Sequence, residues 1–163
     1  MWVKKPQIIL SRIKSKLGLA RKIHARQTVV ARINKAQAMQ FQEDYHLQGP
    51  LPGKYRYGLF LGGELVSVAV FSGGRRMRTY TEEEDLRSFE LLHFCHKKDL
   101  VVVGGLSKLL RSFVQDFEPG DIMTYVDRDW SDGASFERLV FEIVGENSRS
   151  LKMVKYLHRT PSL

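Results

Sequence analysis

At 163 residues, with 43% hydrophobic and 10% aromatic residues, the chain has the length and composition of one folded domain with a single core, which excludes a disordered segment. The single cysteine, Cys95, excludes an intrachain disulfide and argues against a cysteine-rich zinc site, and no run approaches the ~18 apolar residues of a membrane span. The formal charge of +8 is concentrated at one end, where ten Lys and Arg fall between Lys4 and Lys35 and no Asp or Glu precedes Glu43. Such a block suits an anionic partner, nucleic acid or an acidic membrane surface, and equally a solvated basic helix face. No secretory signal pattern is present, so an intracellular, cytoplasmic protein without a metal is expected.

From Pro6 to about Ala25, Ile9, Ile13, Leu17 and Ala20 recur at helical spacing among basic residues, predicting a basic amphipathic helix interrupted at Gly18. Residues 1–27 read as an extension and 28–163 as the domain proper. Thr28 to Ile33 is β-rich, and Asn34 caps a helix running to about Asp44, which ends before the His46-Leu47-Gln48-Gly49-Pro50 loop. Tyr55 to Leu61 and Glu64 to Phe71 form a hairpin over Gly62-Gly63. Gly73 to Asp85 is a polar loop in which Arg75, Arg76 and Arg78 are either self-neutralised by the acidic residues that follow or face a substrate phosphate.

Phe89 to His96 is an apolar strand, on which His93 and Cys95 share one face and His96 takes the other, so the three do not converge simply; a metal held by His93 and Cys95 is the alternative to a buried, unreactive Cys95. Val101 to Leu110 turns from β-branched residues through Gly104-Gly105 directly into a helix with Leu106, Leu109, Leu110 and Phe113 on one face. Glycines let a ligand approach the backbone, and the free N–H groups and positive dipole end of the helix favour an anion there. The candidate phosphate cradle is therefore Val103, Gly104, Gly105 and Leu106, with Ser107 and Lys108 beside it; glycine needed for helix packing is the competing account. Ile122 to Val126 is the next strand, Ala134 to Phe141 is helical in pattern, Glu142 to Gly145 is extended, and a basic tail begins at Asn147.

This order of elements, with a strand–glycine turn–helix at its centre, resembles the GNAT acyltransferase fold over roughly Thr28 to Gly145. Val101 to Leu110 falls where the family has its acyl-CoA loop, and Ser135 to Phe141 falls where it has Leu-Tyr-x-x-x-Gly-Phe. Here Val101 stands for the family's Arg or Gln, Leu106 for its last loop glycine, Phe136 for its tyrosine and Val140 for the glycine of the second motif. Four blocks in order resemble more narrowly the GNAT-like domain of phage Mom DNA-modification proteins and of the C-terminal part of certain phage endonucleases. They are His46-Leu-Gln-Gly, Glu90-Leu-Leu-His-Phe-Cys, Val102-Val-Gly-Gly-Leu-Ser-Lys and Tyr125-Val-Asp-Arg-Asp-Trp-Ser-Asp-Gly.

The resemblance implies an α/β (α+β) fold with a central mixed, largely antiparallel twisted sheet flanked by helices. It implies acetyl-CoA or a related acyl-CoA as donor, and DNA as the partner whose base is modified. A non-catalytic nucleic-acid-binding module, and an N-acetyltransferase for a small amine or protein, are the alternatives. Since the family's thiolate-protonating tyrosine is Phe136, another group must do that work, or none does.

For the base, His46 is expected, because imidazole titrates near neutrality and this one sits at a helix end beside a loop. Asp127 could orient it or bind an exocyclic amine, unless Arg128 holds it in a salt bridge; Tyr125, two residues earlier on the same face, could donate a proton or stack. Arg75, Arg76, Arg78, Arg128 and Trp130 are the expected nucleic-acid contacts, with packing as the other reading of Trp130.

Overall fold

The computed structural model describes residues 5–76, 86–128 and 134–157; Arg78 and Trp130 lie outside them. In chain order the elements are α1 (Pro6–Lys16), β1 (Arg21–His24), a 3-10 turn (Ala25–Gln27), β2 (Val29–Arg32), α2 (Lys35–Tyr45), β3 (Tyr55–Leu61) and β4 (Glu64–Phe71). Then follow β5 (Ser88–His96), β6 (Leu100–Val103), α3 (Gly105–Phe117), β7 (Asp121–Asp127), α4 (Ala134–Glu137), β8 (Glu142–Glu146) and β9 (Ser150–Tyr156). One sheet has the order β2-β3-β4-β5-β7-β9-β8, antiparallel except where β5 meets β7.

The α3 face carries most of the core. Leu109, Leu110 and Phe113 drop from α3 onto Tyr57, Leu59, Phe71, Phe89 and Ile122, and Phe113 stacks on Phe71 with ring centroids 4.0 Å apart. On the opposite face α2 presents Ala38 and Phe41 to Ile33, Val68, Val70 and Cys95. Asn34 starts α2 as expected, accepting from the Gln37 N–H at 2.8 Å while the Gln37 side chain reaches back to the Asn34 N–H at 3.4 Å.

Three elements differ from the sequence reading. The first helix ends at Lys16: Gly18 takes a positive φ of 73°, and Arg21–His24 becomes a strand paired in parallel with β6. Its apolar spacing continued past the break, but Ile23 alone is drawn into the α3-side core. The basic tail contains β9, which sits between β7 and β8 and buries Leu151, Met153 and Val154 while Lys152 and Lys155 are half-buried. The helix expected from Ala134 to Phe141 stops at Glu137.

That stop is a Schellman turn. The Phe141 N–H donates to Phe136 O at 3.0 Å and the Val140 N–H to Glu137 O at 2.9 Å, with the Phe136 and Phe141 rings in contact at 5.4 Å between centroids. Val140 occupies the left-handed position at φ 67° and is 70% exposed, so a β-branched side chain is strained where the resembling family has glycine. Val140→Gly is predicted to stabilise the protein by about 1 kcal/mol, the relief of strain exceeding the entropic cost of glycine. A urea midpoint that stays put or falls would count against this account.

Candidate active site

The site begins with a gap in the sheet. β5 and β7 pair for three residues only, Ser88–Asp121, Phe89–Ile122 and Glu90–Met123, after which each continues without the other. At the fork the Thr124 hydroxyl donates to Leu91 O at 3.1 Å. The divergence coincides with a bulge: Phe71 of β4 faces Leu91 whereas Val70 faces His93, so Leu92 is an extra residue in β5. Leu91 packs on the α3 side, and the bulge turns His93 and Cys95 to the α2 side. Beyond it, His96 lies opposite Ser67 and Lys97 donates from its N–H to Val66 O at 2.8 Å. Strand alternation therefore aims the Phe94 and His96 N–H groups away from β4, toward the gap.

The glycine turn stands at the far end of β6. Gly104 is the N-cap of α3 with φ 78°, a conformation that glycine adopts without strain. Gly105 is required for packing, since a Cβ there would come within 3.1 Å of Val102 Cβ and 3.2 Å of Leu59 Cδ1. Gly104 is thus explained by its left-handed backbone and Gly105 by the packing account. The Lys108 N–H closes the first helical turn on Gly104 O at 3.0 Å, and the N–H groups of Gly105, Leu106 and Ser107 have no carbonyl partner among the described residues. Val103 and Gly104 are exposed, and Leu106, Ser107 and Lys108 are half-buried. The Lys108 ammonium donates to Ala25 O at 3.0 Å and Thr28 O at 2.5 Å, fastening the 3-10 turn to α3 rather than facing the helix terminus.

On the face opposite α3, the end of α2 meets the divergent half of β5. The His46 ring stacks on His93 with centroids 3.7 Å apart and planes at 12°. Gln42, wholly buried, ties this corner together: its Nε2 donates to Ala38 O at 3.0 Å and Leu51 O at 2.9 Å. Its Oε1 accepts from the Leu51 N–H at 3.1 Å and lies 2.8 Å from His93 Nδ1. α1 closes the corner from above, with Lys5 Nζ donating to Glu43 O at 2.8 Å and His46 O at 3.1 Å, and Ser11 Oγ accepting from the Asp99 N–H at 2.7 Å. A cavity of about 820 Å³ lies between α1, the end of α2 and the β5–β6 turn, and Arg12, His46, Cys95 and His96 are among its walls.

Electrostatics keep the two imidazoles neutral. Burial lowers His46 to about 3, with His93, Arg12 and Lys5 adding to the effect, and burial lowers His93 to about 4. Burial also lowers His96, another wall of the cavity, to about 4, and its Nδ1 lies 2.7 Å from Ser67 Oγ. Burial pushes the Cys95 thiol up to about 12, which removes it as a thiolate nucleophile. Desolvation lowers Arg12, opposed by Asp127 and Cys95.

Of the residues expected from sequence, His46 is in this corner. Asp127 and Tyr125 lie on the same side of the sheet, since the intervening Val126 points into the α3-side core; Tyr125 is 54% exposed. Arg128 pairs with Glu146 at 3.7 Å and donates to Asn147 O at 2.7 Å. Arg75 is exposed near the fork, its guanidinium 3.4 Å from Met123 Sδ, and Arg76 is exposed beyond it. Sequence reasoning missed Gln42 and Arg12 and gave His93 no partner. The shared face of His93 and Cys95 was visible, but the bulge that delivers that face to α2 was not. Among the described residues no group of His, Cys, Asp or Glu is placed to hold a metal, and no helix is long and apolar enough to cross a membrane.

The architecture has known counterparts. No family model and no curated protein matches the sequence. Among solved structures, Ard1 from Thermoplasma volcanium superposes with a TM-score of 0.60 at 11% identity, over 82% of this chain and 99% of that one. The ribosomal-protein-S18-alanine N-acetyltransferase from Escherichia coli gives 0.59 at 12% identity, over 83% and 98%. Arabidopsis thaliana Naa50, solved with the bisubstrate analogue CoA-Ac-MVNAL, gives 0.59 at 10% identity, over 80% and 99%. The protein therefore has the GNAT-like acyltransferase fold, a mixed and mostly antiparallel seven-stranded sheet flanked by helices.

The three depressed imidazoles make stability depend on acid. Each is neutral when folded and takes up a proton near pH 6.5 when unfolded, so its contribution is complete above that value and is lost as pH falls toward 4. Each should cost about 1.4 kcal/mol per pH unit inside that window. Urea midpoints measured from pH 7 to pH 5 should fall steadily; a flat series would show that these rings are not buried in neutral form.

Proposed function

We propose that the protein is an acyl-CoA-dependent N-acyltransferase, and the observation that carries this reading is the open fork between β5 and β7. A ligand arm laid in that fork can continue the sheet, accepting from the N–H groups of β5 that lack a β7 partner. The phosphate end of an acyl-CoA then reaches the N-terminus of α3, where Gly105, Leu106 and Ser107 supply N–H groups and Gly104 and Val103 shape the approach. An attacking amine enters from the opposite face, toward His46, His93, Asp127 and Tyr125. One imidazole of the stacked pair takes the amine proton, Asp127 holds the amine, and the exposed Tyr125 hydroxyl donates to the leaving thiolate in place of the Phe136 ring.

Acetyl-CoA titrated calorimetrically is the direct test, beside Ser107→Glu. The substitution puts a carboxylate in the first turn of α3, which favours the helix by about 0.3–1 kcal/mol yet repels phosphate. Unchanged stability with binding weakened by about tenfold or more is the expected result. Equal binding by both proteins would remove the helix terminus as the phosphate site, and no binding by either would remove the acyltransferase reading.

A finer reading makes the acceptor an exocyclic amine of a DNA base. It is supported by the basic residues Arg12, Lys16 and Lys98 in the cavity wall, beside Lys97, which pairs with Glu64, and by the exposed Arg75 and Arg76 near the fork. Retention on duplex DNA should then fall by about 0.9 log units per log unit of salt for each phosphate contacted. Binding that ignores salt, or no binding, would leave a small amine or a protein N-terminus as the acceptor class.

A further inference from the structure

The geometry points to His93, through its Nε2, as the general base of this site, with Gln42 as the residue that positions it. This rests on the acyltransferase reading and decides between two stacked rings that otherwise look alike. The buried Gln42 amide can be oriented in one way only, because one end meets two carbonyl oxygens, Ala38 and Leu51, and the other meets the Leu51 N–H. The end facing His93 is therefore the oxygen, and an oxygen 2.8 Å from Nδ1 requires the proton to sit on Nδ1. The lone pair of a neutral His93 is left on Nε2.

His46 is fixed in the opposite form. Its Nδ1 accepts from the Gln48 N–H at 3.1 Å, so its proton is on Nε2 and its basic nitrogen is already engaged. Two stacked imidazoles thus differ in function: His46 presents a donor, His93 an acceptor. His93 Nε2 has no hydrogen-bond partner among the described residues, and the residue is 8% exposed. It stands directly after the Leu92 bulge, on the stretch of β5 that has left β7, where the thioester of a ligand in the fork would lie.

The step balances without another reagent. A neutral amine attacks the thioester carbonyl carbon; the N–C bond forms, the C–S bond breaks, and the amine proton passes to His93 Nε2. The Tyr125 hydroxyl gives its proton to the departing thiolate, and the proton of the imidazolium restores it, giving amide and free thiol. Burial of His93 disfavours the imidazolium and so favours the second transfer. His46 from the end of α2 stacks on it; Arg12 of α1 and Lys5 before α1 act on His46, and Asp127 and Cys95 act on Arg12.

Two measurements test this. The ¹⁵N shifts of the imidazoles in the unmodified protein need no substrate and should show His93 protonated at Nδ1 and His46 at Nε2; the reverse pattern overturns the assignment. Thiol release from acetyl-CoA, with glycinamide, duplex DNA or water as acceptor, should fall about 10²–10⁴-fold in His93→Ala while acetyl-CoA binding persists. Added imidazole should restore part of that activity, which it would not do for a ring that only packs. In Gln42→Glu, a carboxylate facing Nδ1 favours the imidazolium, so the acid limb of kcat/KM should move to higher pH. Turnover unchanged in His93→Ala, or lost in His46→Phe alone, would overturn the proposal. Failure of the unmodified protein to bind acetyl-CoA would instead overturn the acyltransferase reading on which it stands.

Discussion

The early parting of β5 from β7 is the constraint on which the rest of the architecture turns. Seven strands could have formed one continuous ladder, and each unmade pair leaves backbone groups without a partner, which is unfavourable unless water or a ligand supplies one. The parting coincides with a single extra residue. Leu92 adds one position to β5 relative to β4, bends the strand out of line with β7 and reverses which side chains face α2. The same event that opens the fork therefore brings His93 to the face where His46 waits.

What surrounds the fork is rigid on one side and assembled from distant pieces on the other. The α3 face is an aromatic core in which Phe71, Phe89, Tyr57 and Phe113 pack around one another, and it fixes the helix whose N-terminus ends the glycine turn. The other face depends on polar links between elements far apart in sequence. Gln42 joins α2 to the Leu51 loop and to β5, Lys5 caps the end of α2 from α1, and Ser11 holds the turn at Asp99. A buried amide with every donor and acceptor satisfied sets orientation as well as stability, because its hydrogen-bond pattern admits one arrangement of its neighbours.

The basic N-terminal stretch changes meaning in this setting. Its charge suggested a surface for an anionic partner, but α1 and β1 are also structural: Ile8 and Ile23 are buried, β1 pairs with β6, and Lys108 fastens the turn after β1 to α3. Arg12 joins the two roles, since it lines the cavity while its charge is felt by Asp127 at the end of β7.

Local patterns in the sequence were sufficient for the hairpin over Gly62-Gly63, the Asn34-capped helix, the strand before His96 and the glycine turn into α3, because turn chemistry, capping and apolar period are written within a few residues of each. They also put Tyr125 and Asp127 on one face of their strand. The tail strand β9 was hidden by Lys152 and Lys155, which interrupt the apolar run of the buried Leu151, Met153 and Val154. The break of the first helix was hidden because apolar spacing does not reveal that β6 is available as a partner for Arg21–His24. Most of all, the site was decided by tertiary structure. Alternation along an unbroken strand would keep Leu91 and His93 on one face; only register against β4 shows the inserted residue that separates them, and only Gln42, arriving from another helix, determines which ring nitrogen holds the proton.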